Sequence, residues 1–269
     1  MSALDSADLR AIADAAEELA RAAGAKLLEH FQRLDPSEIR SKGVARDLVS
    51  SADLASERCL VEGLRARFPA HAIEAEEETR DARGAADELR WFLDPLDGTV
   101  NFVHGLPVFA VSMGLWRGGE PLVGVVHAPR LCETFRAVRG GGATLDGRTI
   151  RVSDCERLGD AVLATGFPYR RETLEHSNLE NFQAFFYDVR GLRRMGSAAI
   201  DLCYTAAGRF DGYWELHLSP HDVAAGGLIV REAGGRVADA DGGDDWLRGG
   251  SLVAAGPALF EAVRERVRH

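Results

Sequence analysis

Cysteine is scarce in this chain, four residues in 269, and Cys59, Cys132, Cys155 and Cys203 show none of the paired spacings that bind zinc. That excludes a disulfide framework or a thiolate metal site, and the four read as reduced packing residues. Long hydrophobic runs are also missing: no uncharged apolar stretch reaches the roughly 18 residues that a membrane helix needs. The start, Met-Ser-Ala-Leu-Asp-Ser, lacks the basic and apolar parts of a secretion signal, so a cytoplasmic location is expected and no membrane partner. Positive charge is in deficit, 32 Lys and Arg against 42 Asp and Glu, for a formal net charge of −10. No basic stretch is interleaved with aromatics, which argues against nucleic acid as a partner. What the chain has in quantity is apolar residues, 46% of the total, enough for one large or two moderate cores of a globular protein.

Against that background the acidic residues carry the information. The apolar run Trp91-Phe92-Leu93 leads directly into Asp94-Pro95-Leu96-Asp97-Gly98-Thr99. A residue before proline is driven towards extended geometry, which predicts a strand running through Asp94 and a turn at Pro95. Gly98 admits torsions closed to other residues, and Asp97 or Thr99 is predicted to cap a short helix beginning near Val100. Free N–H groups at such a start suit a phosphate, which the adjacent carboxylates repel unless a cation intervenes. Two carboxylates about 4 Å apart repel by roughly 4 kcal/mol at an effective dielectric of 20. No Lys or Arg lies between Trp91 and Arg117 to offset that. Oxygen ligands without Cys or paired His favour Mg2+ or Mn2+ over Zn2+. Alone, the segment also fits an Asx-type turn in which both aspartates bond only backbone.

Two further acidic elements join it. Glu74-Ala75-Glu76-Glu77-Glu78 follows Phe68-Pro69, where a helix ends, and Pro220-His221-Asp222 opens a small-residue helix over Val223 to Ala233 that Gly234-Gly235 closes. Taken singly, the first reads as a solvated face and Asp222 as an N-cap. Taken together they form a constellation.

That constellation resembles the inositol monophosphatase family of metal-dependent sugar and polyol phosphatases. The likeness runs through His71-Ala-Ile-Glu-Ala-Glu76-Glu77, Trp91 to Gly105, Ala164-Thr-Gly-Phe-Pro-Tyr169, Gly196-Ser-Ala198 and Asp222-Val-Ala-Ala-Gly226, nearly the whole length. It implies a layered αβαβα sandwich of the inositol monophosphatase and fructose-1,6-bisphosphatase type, with the metal cluster between two halves. It implies that Glu76, Asp94 and the Leu96 carbonyl hold one Mg2+, that Asp94, Asp97 and Asp222 hold a second, and that Glu76 helps to hold a third. Mn2+ is the expected substitute. Thr99 and Asp53 would orient the attacking water, which makes Glu76, Thr99 and Asp53 the implied catalytic residues. Substrate contacts fall on Asp97, Gly98, Thr99, Gly196, Ser197, Ala198, Glu215 and Asp222. Inhibition by Li+ and a homodimer are also implied. Two positions depart from the family pattern: His221 stands where Trp is frequent, and Ala75 where Gly is usual. Neither removes a ligand, and His221 is expected to cap a helix rather than touch metal.

The physical demand agrees with several cations. Hydrolysis of a phosphate monoester can require up to about 10²¹-fold acceleration, whereas positioned acid–base groups supply roughly 10²- to 10⁴-fold. Two metal ions can clamp an in-line displacement without a covalent phosphoenzyme.

Elsewhere, Leu9, Ile12, Ala16, Leu19, Ala23, Leu27 and Phe31 predict a long helix from near Ser6, and a second is predicted from about Asp53 to Arg67. Val108 to Trp116, Leu122 to His127 and Thr134 to Val138 predict an antiparallel meander. Beyond Arg151, strands at Ala161–Thr165, Gly191–Met195, Gly212–Leu216 and Arg236–Ala238 alternate with helices, as in an α/β unit. The expected division is an N-terminal α+β half over 1–146, carrying most metal ligands, and a C-terminal α/β half over 147–269, carrying Asp222 and the substrate contacts. Asp239 to Asp245 resembles the start of a calcium loop but has Asp244 and Gly250 where Gly and Glu are required, so it is predicted to be a turn. The leading expectation is Mg2+-dependent hydrolysis of inositol monophosphate or a similar small polyol phosphate. Alternatives are a fructose-1,6-bisphosphatase or histidinol-phosphate phosphatase on the same scaffold, with Arg193 and Arg194 as candidate contacts to a second phosphate, and a catalytically silent metal-binding regulatory protein.

Overall fold

A computed structural model describes residues 4–82, 84–85 and 87–268. Helix α1 (Ser6–His30) starts where expected, with Asp5 accepting from the N–H groups of Ala7 and Asp8 while Asp8 reaches back to Asp5. Leu9, Ile12, Ala16, Leu19, Ala23 and Leu27 are its buried stripe. A short hairpin, β1 (Ile39–Ser41) and β2 (Leu48–Ser50), leads into α2 (Ser51–Arg67).

Next come β3 (Ala72–Ala75), β4 (Leu89–Asp97), α3 (Thr99–Val103), β5 (Ala110–Arg117), β6 (Glu120–Ala128), β7 (Glu133–Val138), β8 (Gly142–Leu145) and β9 (Arg148–Thr149). Strands β3 to β9 lie in chain order in one seven-stranded sheet, parallel only between β3 and β4. The predicted meander is thus its centre. Strand β4 is buried along its full length, which explains its unbroken apolar character up to Asp94.

The remaining elements are β10 (Val162–Thr165), α4 (Leu179–Phe186), β11 (Gly191–Arg193), α5 (Ala198–Ala206), β12 (Gly212–Leu216), α6 (Pro220–Glu232), β13 (Arg236–Ala238), β14 (Ser251–Ala255) and α7 (Phe260–Arg264). Their five strands form a second sheet, ordered β11-β10-β12-β14-β13, with β10 parallel to both neighbours and β14 antiparallel to both of its own.

Helices α1 and α2 cover one face of the large sheet, α5 and α6 fill the space between the sheets, and α4 and α7 lie against the small one. This is the expected layered αβαβα sandwich. One core lies under α1 and α2, a second surrounds α5 and α6, and a third lies beneath α7. The expected division at Asp146–Gly147 falls in the β8–β9 turn, and the middle core draws on residues from both sides of it, Phe92 and Val126 as well as Leu202 and Ile229.

Helix α6 reaches the large sheet through two glycines. A Cβ on Gly114 would lie 2.7 Å from the Ala224 Cβ, and one on Gly124 2.7 Å from the Ala225 carbonyl oxygen. Backbone packs on backbone there, and this brings the start of α6, with Asp222, to the end of β4.

Three local expectations need correction. Strand β4 does not stop at Asp94; it continues through Pro95 to Asp97, with its register against β5 shifting between those two aspartates. A bulge accommodates the proline, which has no N–H for the ladder. Neither Asp97 nor Thr99 caps α3, because Gly98 holds the N-cap position in a left-handed conformation (φ 97°) without a side-chain bond. Asp222 is not an N-cap either: Ser219 is, and Asp222, in the first turn, accepts the Ser219 N–H at 2.6 Å. The Asp239–Asp245 segment is a turn as predicted, with Asp239 accepting the Gly243 N–H. All four cysteines are free. No helix among the described residues is long and apolar enough to cross a membrane.

Candidate active site

The β4 bulge sets the site. Asp94 Oδ1 accepts the Leu96 N–H at 2.9 Å, so the Asx-type turn is real, but it engages only one carboxylate oxygen. Asp97 points to the other half of the molecule, where its Oδ2 accepts from Ser197 Oγ at 2.5 Å and from the Ala199 N–H at 2.7 Å, at the start of α5. A carboxylate at a helix start is favourably placed. Asp222 arrives on α6. One carboxylate oxygen from each of Asp94, Asp97 and Asp222 lies within 4.8 Å of the others.

Helix α2 backs the cluster. Asp53 is buried, takes the Ser50 N–H and hydroxyl on Oδ2, and presents Oδ1 to Thr99 Oγ1 at 3.0 Å. The Thr99 hydroxyl is also 3.1 Å from the Leu96 carbonyl oxygen. Glu76 follows β3 and its N–H donates to the Leu93 carbonyl, one residue before Asp94. Its carboxylate is engaged by Lys42 Nζ at 2.8 Å, and the same ammonium is 2.6 Å from Glu77. The acidic run is therefore not a wholly solvated face: the Glu77 side chain is only 5% exposed. No cation was available in the sequence around Asp94, and for Glu76 and Glu77 the fold imports one from the β1–β2 hairpin.

The electrostatics follow burial. Desolvation pushes Asp222 up to about 8, aided by the Glu76 and Asp97 charges. It pushes Asp97 up to about 6 against the hydrogen bonds from Ser197 and Ala199, and Asp53 to about 6 against those from Ser50 and Thr99. Asp94 is raised well above the ordinary carboxylate range by desolvation and then by Glu76, Asp97 and Asp222. Lys42 goes the other way from what burial alone dictates: desolvation disfavours its charge, but Glu76 and Glu77 hold its pKa up. Among the described residues no Lys or Arg forms an ion pair with Asp94, Asp97 or Asp222. A set of buried and half-buried oxygens, mutually repelling and without an organic counter-ion among the described residues, suits a hard divalent cation.

A cavity of about 100 Å³ opens beside the cluster, lined by Asp97, Asp222, Gly196, Ser197, Ala198 and Glu215, with Tyr169, Arg194 and Asp201 among the remaining walls. Glu215 faces it with its Oε2 accepting from the Tyr213 hydroxyl at 2.7 Å, and burial pushes its pKa up to about 7. It is a cavity wall rather than a surface carboxylate. Arg194 joins the wall, whereas Arg193 folds back on the Leu192 carbonyl. His221 does not act as a cap; its Nδ1 sits 3.2 Å from Ser219 Oγ and its Nε2 is buried without a hydrogen-bond partner among the described residues. A roomier cleft of about 310 Å³ lies elsewhere, between Phe92, Trp116 and Leu247. Its guanidinium groups, Arg90 and Arg248, are already paired with Glu88 and Glu74, and none of the clustered aspartates lines it.

Sequence reasoning assigned no contact in the site to Lys42, and it passed over Ser56, Glu57 and Asp201. The last three are buried polar side chains; Asp201 interrupts the apolar run of α5 and so gave a signal, whereas Ser56 and Glu57 lie in a helix rich in charge and gave none.

Comparison with known proteins agrees with the geometry. Residues 8–269 match the sequence profile of the inositol monophosphatase family. The chain is 42% identical over 249 residues to the Nus factor SuhB of Pasteurella multocida, covering 93% of this chain and 92% of that protein. It is 42% identical over 246 residues to the inositol-1-monophosphatase of Rhizobium meliloti, covering 91% and 92%. The solved inositol monophosphatase of Anabaena superposes with a TM-score of 0.87 at 38% identity, over 96% of each chain. On fold, acidic cluster and sequence alike, this chain belongs to the inositol monophosphatase family.

Proposed function

We propose that this protein is a metal-dependent phosphomonoesterase that hydrolyses inositol monophosphate or a similar small polyol phosphate. The observation that carries the reading is the trio Asp94, Asp97 and Asp222, three converging carboxylates, the first two buried and the third half-buried, with no lysine or arginine among the described residues paired to them. Glu76, Asp94 and the Leu96 carbonyl would hold one Mg2+, with Asp94, Asp97 and Asp222 holding a second and Glu76 contributing to a third; Mn2+ would serve in their place. Bound there, such ions supply positive charge to the phosphoryl group and its leaving oxygen and raise the acidity of water.

The chain's own groups do the rest. Thr99 Oγ1 directs its proton to Asp53 Oδ1, which leaves its lone pairs to accept from the attacking water, and Asp53, held near 6, can take up a proton close to neutrality. Gly98 and Thr99 open α3, where first-turn N–H groups have no intrahelical acceptor and are offered to phosphate oxygens. Gly196, Ser197 and Ala198 line the path of the alcohol, and Glu215 accepts from its hydroxyls. Arg194 at the cavity wall is the feature that favours the bisphosphate alternative. The family also contains relatives that carry the name Nus factor, and a silent regulatory role is the reading to be excluded by assay. We further propose a homodimer in the cytoplasm, and sensitivity to Li+.

The test is phosphate release across inositol monophosphate, fructose 1,6-bisphosphate, histidinol phosphate and p-nitrophenyl phosphate, with Mg2+, with Mn2+ and after chelation. Fastest turnover of inositol monophosphate, abolished by chelation, is expected. Faster turnover of the bisphosphate would transfer the assignment to that alternative, and no turnover of any ester would leave the silent scaffold.

A further inference from the structure

Helix α2 places three polar side chains on its buried face, Asp53, Ser56 and Glu57, at the i, i+3, i+4 spacing that shares one side of a helix. Each holds a different segment of the site. Asp53 holds Thr99, and the Ser56 hydroxyl donates to the Pro95 carbonyl in the β4 bulge at 2.7 Å. Glu57, 3% exposed, accepts three consecutive backbone N–H groups: Glu77 on Oε2 at 2.9 Å, and Glu78 and Thr79 on Oε1 at 3.0 and 2.8 Å.

We propose that Glu57 is a positioning residue for the metal cage, a splint that fixes the 76–79 loop so that the Glu76 carboxylate faces Asp94. The geometry of the loop carries this. On its N-terminal side, the Glu76 N–H is tied to the Leu93 carbonyl, and the Ala75 N–H to the Thr79 carbonyl. On its C-terminal side, the next three N–H groups all end on Glu57. Glu76 is thereby fastened on both sides by main-chain bonds, and its side chain is held by the Lys42 ammonium, a partner that a bound cation can replace.

Electrostatics make the choice of residue informative. Glu74, Glu76, Glu77 and Glu78 already crowd this loop, and a fifth carboxylate beside them is unfavourable as charge. A carboxylate nevertheless suits the position because its two oxygens together accept three N–H groups, which a hydroxyl or a single amide oxygen does less well. The side chain works through backbone, as outer-shell groups around metal ligands commonly do.

The proposal rests on the reading of Glu76 as a metal ligand, and the experiment separates the two. Mn2+ binding to the metal-free protein is measured by electron paramagnetic resonance titration for the wild type, Glu57→Gln, Glu57→Ala, Glu76→Gln and Leu60→Ala, with melting of each metal-free protein recorded alongside. Glu57→Gln keeps shape but turns an amide donor towards one N–H, and should weaken the affected Mn2+ site by about tenfold, with Glu57→Ala weaker still. Leu60→Ala, a cavity in the apolar core under the same helix that leaves all three Glu57 hydrogen bonds in place, should lower the melting temperature and leave Mn2+ affinity at the wild-type value. If Glu57→Gln binds within twofold of wild type while Glu76→Gln is weakened, the splint is refuted and the ligand assignment stands. If Leu60→Ala weakens Mn2+ as much as Glu57→Gln does, the effect is general destabilisation and the splint is again refuted. If Glu76→Gln binds as tightly as wild type, the ligand assignment fails and takes the proposal with it.

Discussion

Two acidic groups sit side by side in this molecule and are treated differently. Asp94, Asp97 and Asp222 are gathered on the ends of β4 and α6 by main-chain packing and have no cationic side chain paired to them among the described residues. Glu76 and Glu77 stand on a turn and share Lys42, an ammonium on a separate hairpin. The difference teaches where each group's neutrality comes from. The aspartates depend on protons or bound ions, whereas the glutamates carry an exchangeable partner with them.

The sharpest way to break this contrast is Asp94→Asn, which removes the charge at the centre of the trio while keeping its shape. Metal-dependent turnover should fall by at least about 10²- to 10³-fold, the loss typical of removing one preorganised electrostatic group. Steady-state kinetics under saturating Mg2+ would measure it, and unchanged turnover would contradict a bridging role for Asp94.

Proton competition comes next. Because burial holds Asp222 near 8 and Asp97 near 6, ions must displace protons, so apparent affinity should rise with pH by about tenfold per unit for each proton released. Calorimetry in buffers of different ionisation enthalpy between pH 6 and 8 would count those protons. A flat profile would mean that the trio is not the binding locus.

The metal-free protein gives a third handle. An acid whose folded-state pKa lies above its unfolded value adds stability that is full below the unfolded value and disappears as pH rises through the folded one. For Asp222 that window runs from about 4 to about 8. Asp222→Asn removes the term, so with chelator present its melting temperature should exceed the wild type's by a few degrees at pH 9 and fall level with or below it at pH 5. Differential scanning calorimetry at both pH values checks the sign.

Smallest is Lys42→Gln. A partly exposed ion pair contributes on the order of 0–1 kcal/mol, so freeing Glu76 from its ammonium should tighten Mn2+ binding by no more than about fivefold. A loss of affinity would show that Lys42 assists the ions instead of competing with them.

Much of this was legible in the sequence because it is written contiguously. The β4 run is apolar on both faces because α2 covers one face of the strand and α6 the other, and its abrupt end in Asp-Pro-Leu-Asp-Gly-Thr needs no tertiary information to attract notice. The meander and α1 likewise follow from strong local periodicity. Lys42 could not be paired with Glu76 in advance, since 34 residues separate them and a lone lysine in a short hairpin has no pattern. Glu57 was hidden for a related reason: on α2 it looks like an ordinary helical glutamate, and only the returning 76–79 loop reveals what it accepts. Strand β14 escaped because Ser-Leu-Val-Ala-Ala is short and weakly β-branched, and its five buried residues gain their extended form from β12 and β13 on either side. The starts of α2 and α6 were misassigned by two or three residues because a capping box places the acidic partner, Asp53 or Asp222, inside the first turn.

The contact of α6 with Gly114 and Gly124 has a consequence for how this scaffold can diversify. Neither residue has any chemistry to offer a substrate, yet a methyl group at either would lever the helix away from the sheet and carry Asp222 with it. The spacing of the acids, and with it the size of ion that fits among them, is set by two places where nothing larger than hydrogen is tolerated. The cavity wall around Tyr169, Arg194 and Glu215 is made of side chains outside that contact, whereas the gauge between β4 and α6 is a fixed dimension of the backbone.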